Sequence, residues 1–155
     1  VVVFDTETTG LNIEREDGTV TGKGFKIHSP GKNNWKLQAH DIAKKIISTF
    51  NIERSAFMVS FRVDSKNNLR LMEVHLDLGG DLLIEEVYPK AFPFDFLELA
   101  VKMATGNIKC PNDFKIKPVA IFYDEGDDLL TNRGYTIFTA DSNQSLEEKI
   151  LEARV

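Results

Sequence analysis

The stretch SFRVDSKNNLRLMEVHLDLGGDLL, Ser60 to Leu83, carries the strongest structural signal in the chain. Phe57 to Asp64 and Leu69 to Leu76 both alternate apolar and polar residues around Ser65-Lys66-Asn67-Asn68, which predicts an antiparallel hairpin. A four-residue loop pairs Asp64 with Leu69, Arg62 with Leu71 and Ser60 with Glu73. A two-residue loop shifts each pair by two positions and leaves the faces unchanged, because a strand repeats every second residue. In either register Ser60, Arg62, Glu73 and His75 share one face, and Phe61, Val63, Met72 and Val74 share the other. A polar face on an arbitrary hairpin is simply solvated; what surrounds this one gives it further meaning.

After the hairpin, Gly79-Gly80 breaks the pattern and a short helix is expected over Asp81 to Val87. A longer helix follows over Phe94 to Thr105, started by Asp95 and stopped by Gly106. Before the hairpin, Leu37, His40, Ile42, Ala43, Ile46, Ile47 and Phe50 recur at helical spacing and predict a helix over Leu37 to Phe50. The polar, glycine-rich run from Asn12 to Lys36 reads as loop, with one or two strands around Thr19 to Ile27. Val1 to Phe4, Val119 to Tyr123 and Tyr135 to Thr139 read as strands, and Asp124 to Asp128 as a solvated acidic turn. A last helix is expected from Ser145, on the capping-box spacing of Ser145 and Glu148. These elements make an α+β class with an antiparallel sheet.

Taken in order, Ser60 to Leu83 and the run YPKAFPFDFLELAVKMATG (Tyr88 to Gly106) resemble the ATP-grasp enzymes, in the amino-acid (carboxylate–amine) ligase branch. The resemblance rests on Phe61, Arg62, Glu73, Leu78, Gly79, Gly80, Asp81, Asp95 and Gly106. Arg133-Gly134-Tyr135 and the Ser145 helix suit the family's closing strands and helix. It is good from Leu37 to Gly106, extends to the C-terminus, and is weak before Leu37. It implies that residues 1–155 form a single domain, the C-terminal ATP-grasp lobe, an antiparallel sheet packed with helices. The opening Val1-Val2-Val3-Phe4, without Met, fits a fragment of a longer enzyme that is not expected to catalyse alone.

The implied function is the ATP- and Mg²⁺- (or Mn²⁺-) binding half of a ligase that forms an amide through an acyl phosphate. Its implied partners are ATP, a small carboxylate and amine, and the remaining N-terminal domains of the same enzyme. In such chemistry two Mg²⁺ ions bridge the nucleotide phosphates and neutralise developing charge, held by hard oxygen ligands. By resemblance, Glu73 is the bridging acid and Leu71 or Met72 faces the nucleotide. Ser60 stands where the first metal-binding acid belongs, His75 where an Asn belongs, and Asp77 where a transition-state Arg belongs. Two accounts of these departures stay open. Either Glu73, His75 and Asp77 make an altered metal cluster, or the site has decayed and the domain survives as a structural or regulatory module. Arg62 shares Glu73's face, where it either replaces the missing cation or pairs with Glu73.

VVVFDTETTGL, Val1 to Leu11, also resembles the first motif of DnaQ-like 3′–5′ exonucleases, in which Asp5 and Glu7 would hold the metal pair. That family needs a second Asp from a central helix and a late His or Tyr with a further Asp. No such second motif follows, and the three histidines lie at 28, 40 and 75.

Composition sets outer bounds. The single cysteine, Cys110, excludes an internal disulfide and fits a reducing, cytoplasmic setting. A net charge of −5 argues against a nucleic-acid partner or a membrane-surface binder. No apolar run reaches the ~18 residues that a membrane span requires.

Overall fold

Gly24 decides how closely two strands of the main sheet can lie. It has φ +144°, and a Cβ built on it would sit 2.0 Å from the carbonyl oxygen of Ile121 on the neighbouring strand. The computed structural model describes residues 7–8, 11–14, 20–28, 35–80, 82–107, 111, 114–124 and 134–153. The expected strand over Val1 to Phe4, with Asp5, Asp81, Cys110, Arg133 and the acidic turn beyond Asp124, lies outside these residues.

The described chain is mixed α+β and its strands pair antiparallel. By internal contacts it groups into two compact units: residues 1–5, 30–89 and 94–114, and residues 6–29, 90–93 and 115–155.

The second unit carries the larger sheet. The strand β3 (Val20–His28) pairs on one side with β1 (Glu7–Thr8) and β2 (Leu11–Glu14), and on the other with β6 (Val119–Tyr123). The strand β7 (Tyr135–Thr139) closes the far edge against β6. One expected strand, near Thr19 to Ile27, is β3; β2 falls where the sequence reads as loop. Val119, Ala120 and Ile121 are fully buried, as a central strand requires. On this sheet lies the helix α4 (Asn143–Ala153), whose Leu146 and Ile150 are buried with Ala120 and Ala140, flanked by Phe122 and Phe138. Those two rings meet edge to face at 5.9 Å.

The start of α4 differs from the expectation. Ser142 is the capping residue: its Oγ accepts the Ser145 N–H at 3.1 Å. The helix therefore begins at Asn143, and Ser145 sits inside its first turn. Ser145 and Glu148 carry the capping-box spacing while Ser142, with Ser145 three residues on, does not, so the sequence reading falls late. Lys26 of β3 donates to both carboxylate oxygens of Glu147, at 2.7 and 2.9 Å, and holds that carboxyl below its ordinary range.

In the first unit, α1 (Trp35–Phe50) buries Ala39, Ala43 and Ile46, one stripe at helical spacing. Leu37 and Phe50, expected on that stripe, are exposed. Asn51, with φ +51°, ends the helix, and the Ile52 N–H reaches back to the Ile47 carbonyl at 3.0 Å. A π-helical turn over Leu83–Val87 leads into α2 (Tyr88–Ala91). The helix α3 (Phe96–Ala104) is shorter than the expected Phe94 to Thr105 but is bounded by the expected signals: the Asp95 carboxylate accepts from the N–H groups of Leu97 and Glu98, and Gly106 has φ +77°. Tyr88, Phe94, Phe96 and Phe114 form a chain of ring contacts with centroids 4.6 to 5.1 Å apart.

Candidate functional site

The hairpin of the first unit is β4 (Met58–Val63) with β5 (Leu69–His75), a sheet of two strands. Ser60 pairs with Glu73, as in the register expected for a four-residue loop, and Met58 pairs with His75. Nearer the turn the register departs from the expectation. Phe61 faces Leu71 and Arg62 faces Arg70, so Met72 is an extra, bulged residue.

The cause lies in the turn. The Asp64 backbone N–H bonds to the Asn68 carbonyl, and Asn67 takes a positive φ of 62°. The Asp64 carboxylate accepts the N–H groups of Lys66 and Asn68, each at 2.9 Å. These bonds place Asp64 and Asn68 inside the connection, which makes it longer than the four residues expected. The ladder then starts at Val63 opposite Leu69, and one bulge restores the pairing at Ser60. Leu71 thereby joins the face of Phe61 and Val63, while Arg62 and Arg70 join that of Ser60, Glu73 and His75.

Arginines directly opposite each other repel. Arg70 is compensated by the Asp64 carboxylate, which it meets through Nε at 2.9 Å and Nη2 at 2.8 Å. The N–H of Asn68 and the Arg70 side chain hold the Asp64 carboxyl below its ordinary range. The sign follows: a depressed carboxyl stabilises the fold above the unfolded pKa near ~4, and that contribution is lost as pH falls through the lower folded value. In an acid titration of the thermal midpoint, Asp64→Asn is expected to flatten the wild-type decline below pH ~4. Parallel curves would remove Asp64 from the acid response.

Arg62 is exposed and makes no ion pair among the described residues. Glu73 instead meets His75: Nε2 and Oε2 are 3.2 Å apart, with side chains 40% and 59% exposed respectively. Asp77 does not join them. Its carboxylate accepts the Gly79 N–H at 2.9 Å and shapes the turn that follows the strand. Gly79, with φ +93°, is the glycine the turn requires, since a Cβ there would meet the Leu83 side chain at 2.7 Å. Gly80 has open space around it. Leu82 holds φ +63° without a side-chain cap, immediately before the π-helical turn. Strained backbone of this kind and π-turns both concentrate at functional sites. Tyr88 is pushed up by burial and then by the charge of Asp77.

Leu71 and Met72, the candidate nucleotide contacts, are 46% and 59% exposed. Trp35 donates from Nε1 to Asn67 Oδ1 at 3.2 Å, and Gln38 accepts the Leu69 N–H at 3.0 Å, so α1 braces the base of the turn. Sequence reasoning missed Arg70 and Leu82. For Arg70 the signal was present: adjacent apolar Leu71 and Met72 interrupt an alternating strand, which is how a bulge appears in sequence.

The residues do not fit a pair of Mg²⁺ ions. Ser60 brings no charge, Asp77 is engaged in its own turn, and no group of three or more His, Cys, Asp or Glu is arranged around a metal position among the described residues. Of the exonuclease pair, Asp5 lies outside the described residues and Glu7 belongs to β1. Among the described residues, no helix is long and apolar enough to cross a membrane. No protein-family model matches this chain, and no curated protein or solved structure matches it either.

Proposed function

We propose that this chain is the ATP-binding half of an ATP-grasp carboxylate–amine ligase, one whose metal site has changed. The observation that carries the reading is the bulged hairpin. It gathers Ser60, Arg62, Arg70, Glu73 and His75 on one face and runs directly into the Gly79 turn, the open Gly80 and the strained Leu82. A nucleotide triphosphate needs cations for its phosphates and a backbone it can approach closely. Arg62 offers a guanidinium uncommitted among the described residues, whose planar fork suits phosphate oxygens. Gly80 offers a backbone unshielded by a side chain. In this reading Leu71 or Met72 meets the base, and Glu73 faces the phosphates through a divalent ion. Substrate-selecting residues and the remaining lobes belong to other domains of the same enzyme.

A thermal-shift titration with a non-hydrolysable ATP analogue and Mg²⁺ or Mn²⁺ tests this. A ligand that binds only the folded state stabilises it by about 2.7 kcal/mol at a hundredfold excess over Kd. The expected result is a metal-dependent rise in midpoint that Glu73→Ala abolishes and Arg62→Ala reduces. No nucleotide response at any metal concentration would leave a structural module; a response lost in Asp5→Ala instead would favour nuclease chemistry.

A further inference from the structure

We propose that the outer edge of β7 pairs with the same strand of a second copy of this chain, joining two five-stranded sheets into one across a two-fold axis at Ile137. The inference is independent of the ligase reading and rests on the second unit alone.

The direction of the backbone groups comes first. β7 ends the strand order on the side away from β3. At its two ends, the Gly134 carbonyl accepts the Asp124 N–H at 2.9 Å, and the Ala140 N–H donates to the Pro118 carbonyl at 3.1 Å. Both bonds face the β6 side, and along an antiparallel strand that direction alternates residue by residue. Thr136 and Phe138 therefore bond to β6, while Tyr135, Ile137 and Thr139 turn their N–H and C=O groups outward. Thr139 agrees with this phase: its carbonyl accepts Lys149 Nζ of α4, at 2.8 Å, rather than a β6 amide. The Ile137 N–H and C=O have no partner among the described residues.

Composition sets this edge apart. Exposed edges are ordinarily blunted by charge, proline or a bulge. The other described edge strands follow that rule: β1 contains Glu7, β2 contains Glu14, β4 contains Arg62, and β5 has Arg70, Glu73 and its bulge. The β7 sequence Tyr-Thr-Ile-Phe-Thr has no charge, proline or glycine and pairs with β6 without a bulge. Its five residues are all strand formers.

Self-complementarity then selects the occupant. A two-fold axis normal to the sheet maps each face onto itself, so a symmetric antiparallel pair must be centred on a residue. Centred on Ile137, Tyr135 meets Thr139 of the second copy, Thr136 meets Phe138, and Ile137 meets itself. Each aromatic residue then opposes a β-branched one, a pairing that stabilises sheets, and no like charges face each other. The two Ile137 residues exchange both N–H···O=C bonds across the axis, as directly opposed outward residues do. Lys149 does not intervene. It reaches Thr139, two residues or roughly 7 Å from the axis, so the two ammonium groups lie at opposite ends of the pair. A strand of foreign sequence would find no charge on β7 to recognise, whereas a second copy matches it at every position.

One strand pair buries less than the roughly 800 Å² per partner of a standard interface, so this dimer is weak and concentration-dependent. Sedimentation of the 155-residue chain up to about 1 mM, the Kd scale of weak association, is expected to show a monomer–dimer equilibrium. Over the same range, residue-resolved amide exchange is expected to slow at Ile137. Thr136 and Phe138, bonded within each copy at any concentration, are expected to change little. Ile137→Pro removes the two central bonds and, because that N–H points outward, leaves the β6 ladder in place. It is expected to weaken the dimer by about 10-fold or more. Thr139→Lys, at a position exposed in the single copy, is expected to weaken it while the thermal midpoint of dilute protein stays unchanged. A chain that remains monomeric at about 1 mM overturns the inference. So does a dimer that both variants leave intact, which would place the contact on another surface, or one that forms without added protection at Ile137.

Discussion

Gly24→Ala is expected to cost more than about 4 kcal/mol, at the extreme of what single substitutions do, and to unfold the larger sheet. The new Cβ would lie 2.0 Å from the Ile121 carbonyl oxygen and 2.9 Å from the Ile121 carbonyl carbon and the Phe122 Cα. All three are backbone atoms of β6, where Ile121 is fully buried, so nothing flexible can yield. The φ of +144° adds strain, because only glycine occupies that region readily. Chemical denaturation followed by far-ultraviolet circular dichroism would measure the loss. A variant within 1 kcal/mol of wild type would mean that β3 and β6 can separate at Gly24. Gly80→Ala is the matched control: its site is open, so stability is expected to change by less than about 0.5 kcal/mol.

Leu146→Ala is expected to remove about 3 kcal/mol, within the range for truncating a leucine in a packed core. Leu146 is fully buried against Ala120, Ala140 and Ile150, with Phe122 and Phe138 alongside. Two of those neighbours are alanines, which have no reach to fill the space left behind. The cavity therefore stays open and the cost lies above bare transfer of the lost methyl groups. A loss below 1 kcal/mol in the same denaturation experiment would mean that the phenyl rings collapse inward.

The alternation of β4 and β5 was legible because one residue in two shows its face, which puts Ser60 and Glu73 on one side; their direct pairing needed the loop length as well. The bulge left one trace, the adjacent apolar Leu71 and Met72, but the register it sets was hidden, since Ser65 to Asn68 reads as a complete loop until the Asp64 side chain takes two backbone N–H groups. The adjacency of Glu73 and His75 was readable for the same reason as the faces. The separate role of Asp77 was not: a carboxylate that caps a turn and one that binds a metal look alike in sequence. Asp95 and Gly106 bounded α3 through local chemistry that needs no tertiary partner. The strand β2 was hidden because its Leu-Asn-Ile-Glu is short and polar, and its pairing with β3 makes it a strand.

The most direct measurement of the central claim is hydrogen–deuterium exchange of this chain with and without a non-hydrolysable ATP analogue and a divalent ion. Slower exchange is expected over Met58–Val63, over Leu69–His75 and through the turn at Gly79 and Gly80, with the α4 sheet unchanged. An unchanged hairpin, or protection confined to β1 and β2, would contradict a nucleotide site on the Glu73 face.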